Sequence, residues 1–319
     1  MERFDTINLE RDMYSNKNLT DILEELDPSD QYVGTTLEGL DAFSRQLKRF
    51  DIKVSGSGSD TVEKFFQAGN TSVLFPEFVR RCVQHGIDTN NVLPEIIAST
   101  THISSFDYRS IGASFGVGDD NQMKVSTKEN LCRIRRRGRT IAASYESLRF
   151  QRLDLFSTMV KQIGAYIANA QFVDAILTIF NGDGNNNPAV VLDLNKPSLA
   201  DWLCMVHDLD GFTVTTILAS PDVARQIIAE HAFWEQITFG SDGVYHLPFN
   251  IHMLVSKSVP EHHAIFLDKR AALEMVAVGG IEIDYDKLIE RQLERAAITC
   301  SAGFSKIYDN AMKVLRYKE

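Results

Sequence analysis

The chain has 319 residues, 44% hydrophobic and 24% charged, with a formal net charge of −10. That is enough ordinary globular sequence for one elaborate domain or two ordinary ones. The acidic balance argues against a protein whose main task is gripping a nucleic-acid backbone, which needs a basic face. It is compatible with a protein that surrounds nucleic acid without adhering to it. The apolar runs fall short of the roughly 20 residues that span a bilayer. The N-terminal stretch lacks an apolar core behind a basic start, so no signal peptide is expected and the chain reads as intracellular at synthesis. Cys82, Cys132, Cys204 and Cys300 are far apart and form no C-x-x-C, so buried thiols are expected and neither a zinc site nor a disulfide framework.

In residues 1–54 acidic residues outnumber basic ones, and two short amphipathic helices are predicted near 18–26 and 37–50. The second puts Leu37, Leu40, Phe43, Leu47 and Phe50 on one face. A helix packed on its own domain and a partner-binding arm are equally open readings. The SGSGS of Ser55–Ser59 reads as a flexible joint. Beyond it, Pro76 suits a helix first turn, giving a short helix from Pro76 to His85 that ends at Gly86.

Residues 92–148 read as extended. Ile103, Phe106, Tyr108 and Ile111 form one imperfectly alternating strand, and a return limb follows the glycine-rich GASFGVGDDNQ. A two-stranded hairpin is marginal alone and needs a partner surface.

Arg149 to Phe180 then reads as one long helix. Leu153, Phe156, Val160, Ile163, Ile167, Ala170, Val173 and Leu177 draw a stripe, while Leu155, Met159, Tyr166, Phe172 and Ile176 make a second side apolar. A helix apolar on two sides is expected to be sandwiched. It stops at NGDGNNNP, residues 181–188. Strands and helices alternate afterwards. A capping box opens a helix from Ser198 to about Leu209, a strand covers 212–219, and Ser220-Pro221 opens another helix over DVARQIIAEHAFW. Strands follow near 251–256, 264–267 and 272–278, and a long strand returns from Gln292.

Catalytic and metal motifs are weak. GASFGVG, from Gly112, has neither dinucleotide-binding nor P-loop spacing and reads as a turn. Asp183 to Asn187 looks calcium-like but lacks a Glu at the twelfth position, where Leu194 stands, so it reads as a helix stop. His246, His252, His262 and His263 lack metal-ligand spacing. Cys82 and His85 are the nearest nucleophile–base pair, without an orienting group or oxyanion hole. No catalytic residue, metal ligand or cofactor is expected. One cluster stands out: Arg133, Arg135, Arg137 and Arg139 at strict two-residue spacing, which places them on one face of a strand. The row reads as a solvated strand kept from aggregating, as a set of cations that pair with carboxylates on the acidic arm or on a neighbouring subunit, or as a nucleic-acid contact, which sits awkwardly with the acidic whole. An inter-subunit contact is the favoured reading.

The order of arm, extended loop, long helix, α/β domain and returning strand resembles the major capsid proteins of tailed bacteriophages. These have the Hong Kong phage-type shell fold, shared with encapsulins. TSVLFPEFVRRCVQHGI before the hairpin and ERAAITCSAGFSKIYDNAMKVL near the end look like the family too, and the resemblance covers about residues 60–319. It implies an α+β fold with a 1–59 arm and linker, a peripheral domain beginning at 60–100, an extended loop at 101–148, a spine helix at 149–183, an axial domain at 184–280 and a return at 281–319. Some family members join a loop lysine to a neighbour's asparagine. Lys124 and Lys128 lie in the corresponding region, but no asparagine is identified and no crosslink is expected. The implied function is a homo-oligomer of hexamers and pentamers forming an icosahedral virion shell around double-stranded DNA, assembled in the bacterial cytoplasm. Portal, scaffold or decoration proteins are its partners, and no membrane is involved. An encapsulin-type compartment around a cargo enzyme is the rival, separated by particle contents. The long acidic arm favours the phage.

Overall fold

The computed structural model describes residues 19–56, 58–67, 71–103, 113–117, 123–127, 132–194, 209, 211–229, 237–240, 243–247, 250–288, 290 and 292–318. The chain divides into two compact units. The first comprises Met1–Asn90, Gly138–Ile167 and Ile281–Thr299, and the second Asn91–Arg137, Ala168–Gly280 and Cys300–Glu319.

In the first unit, α1 (Leu19–Leu26) buries Leu19, Ile22 and Leu23, an i, i+3, i+4 stripe. Asp41 caps α2 (Ala42–Arg49), its carboxylate accepting from the Ser44 N–H at 3.1 Å. Two arginines dock this pair. Buried Arg45 donates to Asp27 at 3.0 Å and lies 4.5 Å over the Tyr32 ring. Arg81, on α4 (Thr71–Asn90), donates to Asp41 at 2.5 Å, Glu77 at 3.2 Å and Thr20 at 3.1 Å, with its guanidinium 4.2 Å over Phe43. Residues 19–50 are therefore packed on their own unit. Where the sequence suggests a joint at SGSGS, the chain is closed by hydrogen bonds between Lys53 and Asp60, N–H to O at 2.8 Å and N–H to Oδ2 at 2.7 Å.

Two further expectations are corrected here. Pro76 does not start its helix and Gly86 does not end it, because α4 begins five residues earlier and continues through Gly86. Gly86 is instead a crossing point with α6 (Leu153–Asn181): a Cβ there would lie 2.1 Å from the Lys161 carbonyl oxygen, and one at Gly164 would lie 2.2 Å from that of Val83. The two helices touch backbone to backbone, which only glycine permits. Phe65, on α3 (Val62–Gln67), then meets Phe75 and Phe78 at 5.7 and 5.3 Å, and Phe156 meets Phe75 at 5.6 Å. The long helix also begins later than expected, at Leu153, the first residue of its apolar stripe, and not at Arg149. A short α5 (Tyr145–Phe150), capped by Ser144, ends at extended Gln151 before α6 starts. The break frees backbone for the segment opposite. The Val62 N–H donates to Gln151 O at 2.9 Å, and the Leu153 N–H donates to Asp60 O at 2.8 Å.

α6 is long and apolar enough to cross a membrane by length and composition, yet 56% of its most apolar window is buried inside the protein, as in a core helix.

The second unit is built on a seven-stranded sheet. Its strands are β5 (Val190–Leu194), β6 (Thr216–Ala219), β7 (Thr238–Phe239), β8 (Tyr245–Leu247), β9 (Ile251–Val255), β10 (His263–Leu267) and β13 (Met312–Tyr317), in the order β5-β13-β10-β6-β9-β8-β7. Successive residues separate into two clusters. Leu218, Leu254, Ile265, Leu267 and Val314 pack with Phe172, Ile176 and Ile179 of α6. Ile217, Ala219, Met253, Phe266 and Leu315 pack with Val223, Ala224 and Ile227 of α7 (Pro221–Ala229). A sheet covered on both faces explains the consecutive apolar residues of its central strands, Ile217–Ala219, Met253–Val255 and Ala264–Leu267. β5, β7, β8 and β13 had no distinct sequence signal. The expected helix over 198–209 and the end of DVARQIIAEHAFW lie outside the described residues, apart from Leu209.

A four-stranded sheet has the order β1-β11-β12-β4, with β1 (Ile97–Ile103) parallel to β11 (Leu273–Leu288), then β12 (Leu293–Lys306) and β4 (Arg135–Ser144). The expected long hairpin is thus divided. Its outer limbs join this sheet, while β2 (Ala113–Val117) and β3 (Met123–Thr127) form a separate antiparallel pair. Phe106, Tyr108 and Ile111 lie outside the described residues.

The glycine crossing gives a direct test. Gly86→Ala and Gly164→Ala should each destabilise the chain by about 2–3 kcal/mol, the overpacking penalty, read as a lower denaturant midpoint. Gly58→Ala, where nothing lies within 4 Å of the added carbon, should leave it within about 0.5 kcal/mol.

Candidate functional site

The arginine row runs into and along β4, and its members meet different partners. Arg135 donates to Asp174 at 2.6 Å, and Arg137 donates to both oxygens of the same carboxylate at 2.7 and 2.6 Å. Asp174 is buried in the last third of α6, in a stretch that also buries Phe172, Ala175 and Ile176. Three charge-assisted hydrogen bonds from two guanidiniums compensate its burial. Arg139 instead lies over Tyr166, its guanidinium carbon 4.0 Å from the ring centroid. Arg133 and Arg136 are exposed. The acidic partner of Arg135 and Arg137 is therefore in the same chain, whereas Arg133 and Arg139 have exposed side chains.

Gly138 sits between these arginines because β4 meets its neighbour closely: a Cβ there would lie 2.1 Å from the Ile298 carbonyl oxygen. Asp174 was missed by sequence reasoning. Its signal is a lone acid in an apolar stretch, which demands a buried cation.

On the first-unit half of α6, Leu155, Met159 and Tyr166 are exposed, Leu155 by 59%. Their four- and seven-residue spacing puts them on one helical face. They belong to the second apolar side read from the sequence, of which Phe172 and Ile176 are buried and Tyr166 lies under Arg139. The first unit also holds a cavity of about 420 Å³ whose walls include Phe66, Phe75, Val79, Ile141, Leu148 and Phe156, with Lys287, Glu294 and Arg295 also lining it. It has an apolar lining with few polar groups.

The remaining sequence candidates are structural. Burial pushes the Cys82 thiol up to about 11, opposed by the Lys161 charge, so it is the reverse of an activated thiolate. The Asp183 loop ends α6 through positive φ at Gly182, Gly184 and Asn186. Buried Asp183 accepts from Asn185 Nδ2 at 2.8 Å and from the Lys306 N–H at 3.0 Å, and Lys306 Nζ donates to the Asn187 carbonyl at 2.5 Å. This ties the helix end to β12. His252 pairs with Glu95 at 2.8 Å and stacks edge-on to His246, and His262 pairs with Asp222 at 3.0 Å. His263 meets the Phe180 ring. Among the described residues no group of three His, Cys, Asp or Glu is placed to hold a metal. GASFGVG is strand rather than turn over Ala113–Val117, with Gly116 opposite Lys124.

Asp174→Ala should cost about 2 kcal/mol, below the figure for fully buried pairs because both guanidiniums are a third exposed, and the loss should shrink when Arg135 and Arg137 are also replaced by Gln. A double-mutant cycle in urea measures it.

No protein-family model and no curated protein sequence matches the chain. Solved structures do. The virus-like particle from Pyrococcus furiosus aligns at 12% identity and a TM-score of 0.54, over 76% of this chain and 99% of that one. The capsid of the cyanophage P-SCSP1u aligns at 12% identity and a TM-score of 0.52, over 70% of this chain and 88% of that one. With its spine helix, four-stranded sheet and seven-stranded sheet domain, the chain has the α+β Hong Kong phage-type shell fold.

Proposed function

We propose that this chain is a shell subunit, the major capsid protein of a tailed phage or prophage. It assembles as hexamers and pentamers into an icosahedral virion shell around double-stranded DNA, in the bacterial cytoplasm. Residues 184–280 are its axial domain, and 60–100, the spine helix at 149–183 and the return at 281–319 are its peripheral domain. The role is structural, without catalysis. What carries this reading is the shell fold covering nearly the whole length of the virus-like particle subunit. The exposed apolar face of α6 supports it, since such surface is expected to be covered by assembly. The acidic chain supports it as well, because a container that repels phosphate leaves DNA mobile. Arg133 and Arg139 are proposed as inter-subunit contacts. Arg135 and Arg137 contribute what charge remains after Asp174 takes its share.

Expression of the chain, followed by electron microscopy of the purified product, should show closed shells. A dispersed monomer at high concentration overturns the reading, and a folded protein cargo in place of DNA in native particles turns it to an encapsulin-type compartment. The arginine row separates into two effects. Arg133→Gln with Arg139→Gln should impair shell formation while leaving the thermal midpoint within a few degrees. Arg135→Gln with Arg137→Gln should lower that midpoint even in unassembled subunits.

A further inference from the structure

We propose that the cavity of the first unit is a binding site for a fatty acid, with the hydrocarbon tail in the cavity and the carboxylate at Lys287 and Arg295. Every residue that lines the cavity belongs to the first unit of one chain, so the site goes beyond the shell reading and does not need it.

The cavity is a gap between two layers. Tyr285 and Lys287 on β11, Glu294 and Ala296 on β12, and Ile141 and Ala143 on β4 line it from the sheet, each pair two residues apart and so on one face of its strand. Phe66 of α3, Phe75 and Val79 of α4 and Phe156 of α6 line it from the helices. The layers do not close where the sheet offers the small Ala143 and Ala296. At about 420 Å³ the space lies within the roughly 300–1,000 Å³ of small-molecule sites. An apolar space of this size, left empty, forfeits the contacts of its lining, and water finds few polar partners in it. Phe66 is 40% exposed, so the cavity opens to solvent and a ligand can enter.

Charge sets the head group. Lys287 and Arg295 line the cavity with side chains that are 67% and 43% exposed, so their charges sit where it meets solvent. Lys287 pairs with Glu294 at 3.3 Å, and Arg295 donates to Asp286. An ammonium has three donors and a guanidinium five, so each cation keeps donors after its own carboxylate is served. Arg80, 3.9 Å from Glu77 and with no hydrogen-bond partner for its Nε, adds a third positive charge that acts on Tyr285 in the cavity wall. The one acid in the lining, Glu294, is matched by Lys287. An apolar chamber with spare cationic donors at its opening is complementary to an acyl chain that ends in a carboxylate, and it disfavours the same chain with a cationic head.

Isothermal titration calorimetry of the purified chain with sodium decanoate, below its micelle concentration, should show one site per chain, and the bound ligand should raise the thermal midpoint. Lys287→Gln with Arg295→Gln should weaken decanoate about tenfold or more, because charge-assisted hydrogen bonds are lost, and should leave decanol unchanged. Both positions are exposed, and unchanged circular dichroism checks that the variant folds. Ala143→Leu with Ala296→Leu fills the cavity and should abolish binding of both ligands. If that variant does not fold, the Gln pair still decides. Decyltrimethylammonium should bind more weakly than decanoate. Failure of decanoate to bind, unchanged binding to the folded Leu variant, or equal affinity for the anionic and cationic heads would each overturn the site. Sedimentation with phosphatidylglycerol vesicles in the absence of decanoate binding would mark a membrane contact instead and would overturn it as well.

Discussion

Burial of α6 on more than one side is the constraint on which the rest depends. A 29-residue helix this apolar must be covered along its length, and the chain covers its two halves by different means. In the first unit the cover is another helix, brought to backbone contact by Gly86 and Gly164. In the second it is a sheet whose Leu218, Leu254 and Ile265 receive Phe172, Ile176 and Ile179. The glycines have no counterpart in the second half because a sheet face, unlike a helix, offers side chains to interdigitate with and does not require the backbones to touch.

This constraint also explains the polar features. Asp174 interrupts an apolar stretch and is tolerable only because β4 delivers two guanidiniums to it. The stop of the helix is likewise tied: Asp183 and Asn187 receive the backbone and side chain of Lys306, so the end of α6 and β12 are held together. Neither arrangement is a reaction site. Each satisfies a buried polar group that the length of the helix forces into the interior.

How far these features were legible depends on whether their cause is local. The spine helix, the β6, β9 and β10 strands, the cap at Ser220-Pro221 and the return strand after Gln292 are set by periodicity and capping, which short windows carry. The start of α4 was hidden, since Pro76 is a first-turn signal and its place inside the helix is decided by packing on Phe65 and Phe156. Gly86 carries the same residue type for a stop and for a crossing, and only the partner helix tells them apart. The even spacing of the arginines was visible, and so was their shared face. That two of them serve Asp174, 37 and 39 residues away, was not.

In the proposed shell, the division of the arginine row bears on how acidic copies would associate. Copies with a net charge of −10 repel one another at long range, so association needs local cationic surface facing acid. Were all four arginines neutralised internally, none would remain for that purpose. Were all four exposed, Asp174 would be buried without compensation. The strand resolves the conflict by position: residues 135 and 137 are committed to the helix interior, and 133 and 139, at either end, keep their charge at the surface. Arg139 in addition lies against the Tyr166 face, so its charge sits beside an apolar row. In the proposed shell, a cation held that way would favour one incoming surface over others.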